Sequence, residues 1–124
     1  MLVHQHLIVR GEVNKPLQST DETLLFLKKI IHKLNMKAMY GPVAEYCYKS
    51  GNRGVTGFAI IETSHIAIHV WDESFPALVQ LDIYSCSNID LQEIFKFFTS
   101  ELEPTKMDYK YLDRETDLIN IPIA

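Results

Sequence analysis

The sequence predicts an α+β domain, a two-layer sandwich in which two helices pack on one face of a largely antiparallel sheet. Two segments carry apolar residues at helical spacing, and each follows a residue that can cap a helix. The segments around them are rich in β-branched and aromatic residues and are separated by short turn signals, which is typical of strands joined by tight connections. No linker is visible, so we expect a single domain over residues 1–124, with the order β-α-β-β-β-β-α-β.

The first part of the chain predicts a strand over residues 4–10 and a turn over residues 11–16. A helix follows, because Ser19 and Glu22 form a capping box, and it should end near Asn35. Its predicted apolar stripe consists of Leu24, Leu25, Leu27, Ile30, Ile31 and Leu34.

The middle of the chain predicts the centre of the sheet. Residues 37–49 indicate a strand, or a broken pair of strands, that Gly41-Pro42 interrupts. Residues 50–54 are rich in turn formers and should be a loop. A hairpin is expected over residues 55–71, because its apolar residues are mostly β-branched while residues 62–64 are polar and form a corner.

The last part of the chain predicts a strand, a helix and a strand. The first strand spans Leu78–Ser85, and either Asn88 or Asp90 caps the helix that follows. Glu103-Pro104 should end this helix, and alternation over residues 107–111 predicts the final strand. The residues expected to face inward from the helix are Leu91, Ile94, Phe95, Phe98 and Leu102.

Composition indicates an ordinary globular protein, since 47% of the residues are hydrophobic and 23% are charged. Apolar runs are short and the first residues lack the pattern of a signal peptide, so we expect no membrane association and a cytoplasmic location. The two cysteines, Cys47 and Cys86, do not suggest a disulfide framework. The formal charge of −4, with no basic cluster denser than Lys28-Lys29, disfavours nucleic acid as a partner.

The predicted corner at Thr63-Ser64 is the most informative stretch of the chain. If the carbonyl of residue 63 is held against the Ser64 hydroxyl, an N-to-O acyl shift converts the peptide bond into an ester. Elimination by a base then turns the serine into a pyruvoyl group. This chemistry needs a strained peptide, a hydrogen-bond donor on the Thr63 carbonyl and a base. His69 is the better candidate for the base, because an imidazole accepts protons near neutral pH.

The residues around this corner resemble the processing and active-site region of the small, prokaryotic-type S-adenosylmethionine decarboxylase proenzymes, which depend on a pyruvoyl group. In that family a Gly-Val-Ser-Gly strand precedes Ser-Glu-Ser-His, a second His, Trp-Pro-Glu, an Asp and a Cys. One departure is Thr63, which stands where the family has Glu. The matching residues of this chain are 54–57, 62–65, His69, 71–73, Asp82 and Cys86.

The resemblance implies that the proenzyme cleaves itself by serinolysis at Thr63-Ser64. The products are a β chain of residues 1–63 and an α chain of residues 64–124, and the family counterpart of His69 is the processing base. Thr56 replaces a family serine and keeps a hydroxyl group that can assist processing. His65 also has a family counterpart and is expected to be structural.

The resemblance further implies how the cleaved protein acts. The pyruvoyl group made from Ser64 forms a Schiff base with the amine of S-adenosylmethionine and serves as the electron sink for decarboxylation, without metal or pyridoxal phosphate. Cys86 is the proton donor, and Glu73 binds the ribose. Trp71 and Tyr48 are further candidates for substrate contacts, Tyr48 by stacking on adenine. The product serves spermidine biosynthesis, and the family assembles as homodimers with active sites near the interface.

Two alternatives remain open at this stage. A pyruvoyl decarboxylase of a basic amino acid, such as arginine or ornithine, would keep the processing residues and lose the contacts to adenosine, but Glu73 and Trp71 are retained. A homologue without enzymatic activity would stay uncleaved because of Thr63, and would bind S-adenosylmethionine or regulate a partner. Failure to cleave separates the second alternative from both enzymes.

A zinc site is a rival interpretation of the histidines, because imidazole and thiolate are good zinc ligands. The chain lacks the short ligand spacings of common zinc motifs, and we therefore expect no metal. The residues that this interpretation would use are His4, His6, His65, His69 and Cys86.

Overall fold

One antiparallel sheet of six strands carries both helices of the protein on one of its faces. The computed structural model describes residues 3–123, and within them the strand order is β2-β3-β4-β5-β1-β6. All neighbouring strands are antiparallel, which confirms the predicted fold class and element order. The elements are β1 (Gln5–Val13), α1 (Thr20–Lys33), β2 (Ala38–Cys47), β3 (Gly54–Ile61), β4 (Ser64–Trp71), β5 (Ala77–Ser85), α2 (Leu91–Leu102) and β6 (Pro104–Asp113).

Two glycines let the helices approach the sheet closely. A Cβ atom added to Gly57 would lie 2.6 Å from Cγ2 of Thr23, on α1. One added to Gly11 would lie 2.9 Å from the ring of Phe98, on α2. Both distances are shorter than real Cβ contacts, so a larger residue at either position would push a helix off the sheet.

The strands alternate between a buried face under the helices and a second face, which neither helix of residues 3–123 covers and which we call the open face. Ile66 and Ile68 of β4 are fully buried under the helices. The open face is partly apolar, and the exposed fractions of Ile8, Phe58 and Ile60 are 41%, 39% and 42%. Its central residues are His6, Ile8, Thr56, Phe58, Ile60, His65, Ala67, His69, Asp82 and Tyr84.

Both helix caps use side chains that the sequence suggested. The Glu22 amide donates to the Ser19 hydroxyl at 3.1 Å, while the Glu22 carboxylate accepts from the amide of Gln18. Asp90, rather than Asn88, caps α2 by accepting from the Glu93 amide at 3.2 Å. Neither helix within residues 3–123 is long and apolar enough to cross a membrane.

The predicted turn over residues 11–16 was wrong in its first part. β1 continues through Gly11 to Val13, because Gly11 lies in the sheet and makes room for the Phe98 ring instead of turning the chain. The final strand also extends beyond the predicted residues 107–111. β6 begins at Pro104, directly after α2, because Glu103 adopts a left-handed conformation with φ of 49° and redirects the backbone.

The inward faces of both helices also differ from the predicted stripes. In α1, Leu25 is 53% exposed, whereas Phe26 is buried beside Phe97 of α2. In α2, Phe97 is buried, and Phe95 is half-buried against Tyr109 of β6. Contact between the two helices, through Phe26 and Phe97, helps to select the buried residues, which periodicity alone does not resolve.

Candidate active site

The hairpin between β3 and β4 turns through Glu62 and Thr63, with Ile61 paired to Ser64. Ser64 has a φ of +146°, a value that residues with a Cβ atom rarely adopt. Unusual backbone angles of this kind cost about 1–3 kcal/mol and persist only where the surrounding structure holds them. The neighbouring strands β3 and β5 both pair with Ser64 and hold it in this conformation.

A hydrogen-bond donor lies on the carbonyl that precedes Ser64. The backbone amide of Cys86 donates to the Thr63 carbonyl oxygen at 2.8 Å. Cys86 follows directly after β5, whose last residue, Ser85, pairs with Ser64. A donor at this position stabilises negative charge that develops on the oxygen when a nucleophile adds to the carbonyl carbon. We call Thr63, Ser64 and Cys86 the corner group.

The remaining predicted residues lie toward the other end of β4. The Thr56 hydroxyl and Nδ1 of His69 are 3.1 Å apart, as expected for two side chains in register on β3 and β4. The His69 ring stacks on Trp71, with 5.9 Å between ring centroids and 27° between the planes. The imidazole is therefore oriented on both sides, by a hydroxyl group and by an aromatic ring.

Trp71 and Glu73 hold the loop over residues 50–54. Oε1 of Glu73 accepts from the backbone amides of Gly51 and Arg53, at 2.7 and 3.0 Å. The Trp71 indole donates to the Asn52 side chain at 2.8 Å. Both hydrogen bonds to Glu73 end on Oε1, so Oε2 can accept from a ligand.

Tyr48 is the most exposed aromatic residue of this region. It is 83% exposed and packs on Tyr46, with ring centroids 4.7 Å apart. Its exposure leaves a ring face free for stacking on a planar ligand. We call Thr56, His69, Trp71, Glu73 and Tyr48 the far group.

The corner group and the far group do not meet within one chain. Ser64 and His69 are five residues apart on the same strand, which separates them by about 16 Å at the usual rise per residue. They also have opposite parity on that strand, so an alternating strand directs them to opposite faces. His69 cannot take a proton from Ser64 of its own chain in this fold.

Asp72 stands beside the far group, and its partners were missed by the sequence analysis. The Tyr46 hydroxyl donates to Oδ2 of Asp72, and Nε of Arg53 donates to Oδ1 at 2.8 Å. Burial alone would raise the pKa of Asp72, but these two hydrogen bonds and the Arg53 charge outweigh it and lower the pKa. The hydrogen bond that Tyr46 donates to Asp72 also raises the pKa of the Tyr46 hydroxyl.

This network lines an open cleft of about 420 Å³ at the loop end of the sheet, beside Glu73 and Phe75. One feature of the sequence points to the Asp72 network: Asp72 occupies the position of the proline in the family's Trp-Pro-Glu. The pairing of Asp72 with Tyr46 and Arg53 depends on how β2 and the loop pack, and no local pattern reveals it.

Two of the histidines form a second polar cluster on the open face. Nε2 of His6 lies 3.4 Å from Oδ2 of Asp82, and Nε2 of His65 lies 3.8 Å from Oδ1. Burial alone would raise the pKa of Asp82, but the neighbouring imidazoles, of which His6 is the nearest, outweigh it and lower the pKa. Of the five residues in the zinc interpretation, only His6 and His65 join this cluster within the described part of the chain.

Comparison with known proteins identifies the family of this chain. A family model described as S-adenosylmethionine decarboxylase matches residues 6–115. The S-adenosylmethionine decarboxylase proenzyme of Archaeoglobus fulgidus is 30% identical over 116 residues, which cover 92% of this chain and 99% of that protein. The proenzyme of Clostridium botulinum (strain Langeland) is 32% identical over 99 residues, covering 79% and 80%.

A solved structure has the same fold. The crystal structure of the adenosylmethionine decarboxylase from Aquifex aeolicus VF5 matches with a TM-score of 0.70 and covers 91% of each chain. At 20% identity this similarity concerns the fold alone. The family match spans both the corner group and the far group and extends over most of the sequence. The chain therefore belongs to the S-adenosylmethionine decarboxylase family.

Proposed function

We propose that this protein is a pyruvoyl-dependent S-adenosylmethionine decarboxylase that activates itself by cleavage between Thr63 and Ser64. The observation that carries the proposal is the corner group. Ser64 has a strained backbone, and the carbonyl before it accepts a hydrogen bond from the Cys86 amide. These are two of the three requirements for serinolysis, and they meet at the peptide bond that the sequence singled out.

The cleavage chemistry follows from these contacts. The Ser64 hydroxyl adds to the carbonyl carbon of Thr63, and the Cys86 amide stabilises the negative charge on the oxygen. The C–N bond then breaks, leaving an ester and a free amine. A base removes the Cα proton of residue 64, and the Thr63 carboxylate leaves as the new C-terminus of the β chain. Hydrolysis of the remaining enamine releases ammonia and leaves the pyruvoyl group.

Once formed from Ser64, the pyruvoyl group would supply the electron sink for loss of CO2, without metal or pyridoxal phosphate. The chain contributes the proton that completes the product, and Cys86 is our candidate donor. The hydrogen bond from its backbone amide to the Thr63 carbonyl supports this role, because it fixes Cys86 next to the residue that forms the new group. Oε2 of Glu73 is the candidate acceptor for the ribose hydroxyl groups, and Tyr48 for stacking of adenine.

A homodimer is part of the same proposal, because the corner group and the far group are separated within one chain. Each complete site would take Ser64 and Cys86 from one subunit, and Thr56, His69 and Glu73 from its partner. The exposed apolar side chains of the open face support association through this surface. We further propose that the enzyme acts in the cytoplasm on a small molecule, in the pathway to spermidine, without nucleic acid or membrane as partners.

The test is the intact mass of the purified full-length protein under denaturing conditions. We expect fragments 1–63 and 64–124, the second with a pyruvoyl end, and a single uncut chain for Ser64→Ala. Release of CO2 from carboxyl-labelled S-adenosylmethionine, arginine and ornithine then identifies the substrate. A wild-type chain that stays uncut at neutral pH would contradict the proposal and leave the non-enzymatic homologue. Cleavage with release from an amino acid alone would contradict the substrate.

A further inference from the structure

We propose that His6, His65 and Asp82 form a binding site for a divalent transition metal of the Zn²⁺ class on the open face of the sheet. This inference departs from the expectation of a metal-free protein. It concerns a structural site outside the corner group and the far group. The binding itself does not depend on cleavage or on the proposed activity.

The distances between the ligand atoms fit a metal better than direct hydrogen bonds. Two ligand atoms of a tetrahedral Zn²⁺ lie about 3.3 Å apart when each is 2.0–2.1 Å from the metal. Nε2 of His6 lies 3.4 Å from Oδ2 of Asp82, and Nε2 of His65 lies 3.8 Å from Oδ1. One ligand atom from each of the three residues can be chosen so that all lie within 4.8 Å of one another. Direct hydrogen bonds would bring these atoms to about 2.7–3.2 Å.

Two of the ligand atoms are buried and lack a hydrogen-bond partner. Nε2 of His6 and Oδ1 of Asp82 have no such partner among residues 3–123. Buried polar groups in folded proteins are nearly always satisfied, so these two unpaired atoms require an explanation. One cation held among the three side chains would satisfy both atoms and would also engage Nε2 of His65.

The sheet fixes the three ligands in place. His6 on β1 and His65 on β4 are both paired with Tyr84 on β5, and Asp82 lies two residues along β5 on the same face. The Tyr84 ring packs against both imidazoles, with centroid distances of 5.7 and 5.8 Å, and the two imidazole centroids lie 6.1 Å apart. Because the backbone ladder sets these positions, little rearrangement is needed to bind a metal.

The donor set indicates the class of metal. Two imidazoles and one carboxylate suit Zn²⁺, Co²⁺ or Ni²⁺, whereas Mg²⁺ and Ca²⁺ prefer sites composed of oxygen. In the single chain the side chains of His6, His65 and Asp82 are 15%, 41% and 36% exposed, which leaves room for water as a fourth ligand.

The site would also join the two chains of the cleaved protein, a consequence that rests on the proposed function. His6 belongs to the fragment 1–63, while His65 and Asp82 belong to the fragment 64–124. His65 directly follows Ser64, so the metal would hold the new end of the α chain against β1.

The test uses full-length protein without a histidine tag, stripped with EDTA and titrated with Co²⁺. We expect one Co²⁺ per chain, with the visible d–d bands of a tetrahedral site, in both the wild type and uncleaved Ser64→Ala. His6→Ala and Asp82→Asn should lose this binding. The control His32→Ala removes an exposed histidine of α1 and should keep it.

Three results would overturn the site: no stoichiometric Co²⁺ in the wild type, unchanged binding in His6→Ala, or a thiolate charge-transfer band that assigns the metal to cysteine. NMR of the imidazoles in the wild-type protein tests the same site without any variant, so its result does not depend on whether a variant folds. Zn²⁺ should shift the resonances of His6 and His65 and leave those of His32 in place. Because Ser64→Ala is measured too, a failure of cleavage and a failure of metal binding are distinguishable.

Discussion

The backbone amide of Cys86 donates a 2.8 Å hydrogen bond to the carbonyl oxygen of Thr63. One residue can thus serve two steps through different atoms, the amide in cleavage and the thiol in turnover. A side-chain substitution removes the second function and leaves the first, because the amide remains. The two roles can therefore be separated by experiment.

We expect Cys86→Ala to cleave itself within about twofold of the wild-type rate but to lose most of its decarboxylation. Loss of a positioned proton donor lowers kcat by about 10²–10⁴-fold. Intact mass measures the first quantity, and release of CO2 measures the second. Cys47→Ala is the matched control, because Cys47 is also partly buried but lies at the end of β2. A Cys86→Ala protein with normal turnover would exclude the thiol as proton donor.

The separation of Ser64 from His69 along β4 leads to a complementation test. Neither His69→Ala nor Ser64→Ala should cleave when expressed alone, the first for lack of a base and the second for lack of a nucleophile. When both are expressed together, a mixed dimer pairs Ser64 of one chain with His69 of the other. We then expect the His69→Ala chain to be cleaved, which a mass difference between the chains can reveal.

Rapid cleavage of His69→Ala by itself would show that another group acts as the base. If neither chain were cleaved in the mixture although mixed dimers formed, the site would not be shared between subunits.

Thr56→Val tests the same region by a smaller change. It removes the hydroxyl that orients His69 and keeps the β-branched shape, and it should slow cleavage without stopping it.

Glu73 carries a prediction about substrate affinity. Glu73→Ala removes the acceptor of two backbone amides and releases the loop over residues 50–54. We expect KM for S-adenosylmethionine to rise about 10–100-fold, as for the loss of one or two hydrogen bonds to a charged group, with a smaller change in kcat. Glu73→Gln retains an oxygen acceptor and should give a smaller rise. An unchanged KM in Glu73→Ala would remove this residue from the substrate site.

Much of the fold was accessible from the sequence, because periodicity and turn residues identify strands and helices locally. The errors have tertiary causes. Gly11 has the local signature of a turn residue, but in the sheet it makes room for Phe98. The preference for Phe26 over Leu25 in the core depends on contact between the helices. The candidate residues of the site come from the motif. Their separation into two groups follows from the five-residue spacing on β4, but only once the strand is known to be continuous.

The Asp72 network was invisible in the sequence, and its chemistry gives a pH dependence. Only 13% of the Asp72 side chain is exposed, and Tyr46 and Arg53 both donate to its carboxylate. The pKa of Asp72 is lowered in the folded protein, so the unfolded chain binds its proton at a higher pH. The stabilisation is therefore present above the ordinary Asp pKa of about 3.9 and is lost as the pH falls through the lower, folded pKa.

We therefore expect the stability difference between the parent protein and Asp72→Asn to be full at pH 7 and pH 5 and to shrink below about pH 4. Urea unfolding of both proteins, in the uncleaved Ser64→Ala background so that a single chain unfolds, measures this difference. Asp108→Asn is the control, because its carboxylate is 61% exposed and lies 4.0 Å from Arg10. Its effect should be small at every pH, since exposed ion pairs contribute little. A difference for Asp72→Asn that stays constant from pH 7 to about pH 3 would mean that the carboxylate charge does not hold the loop.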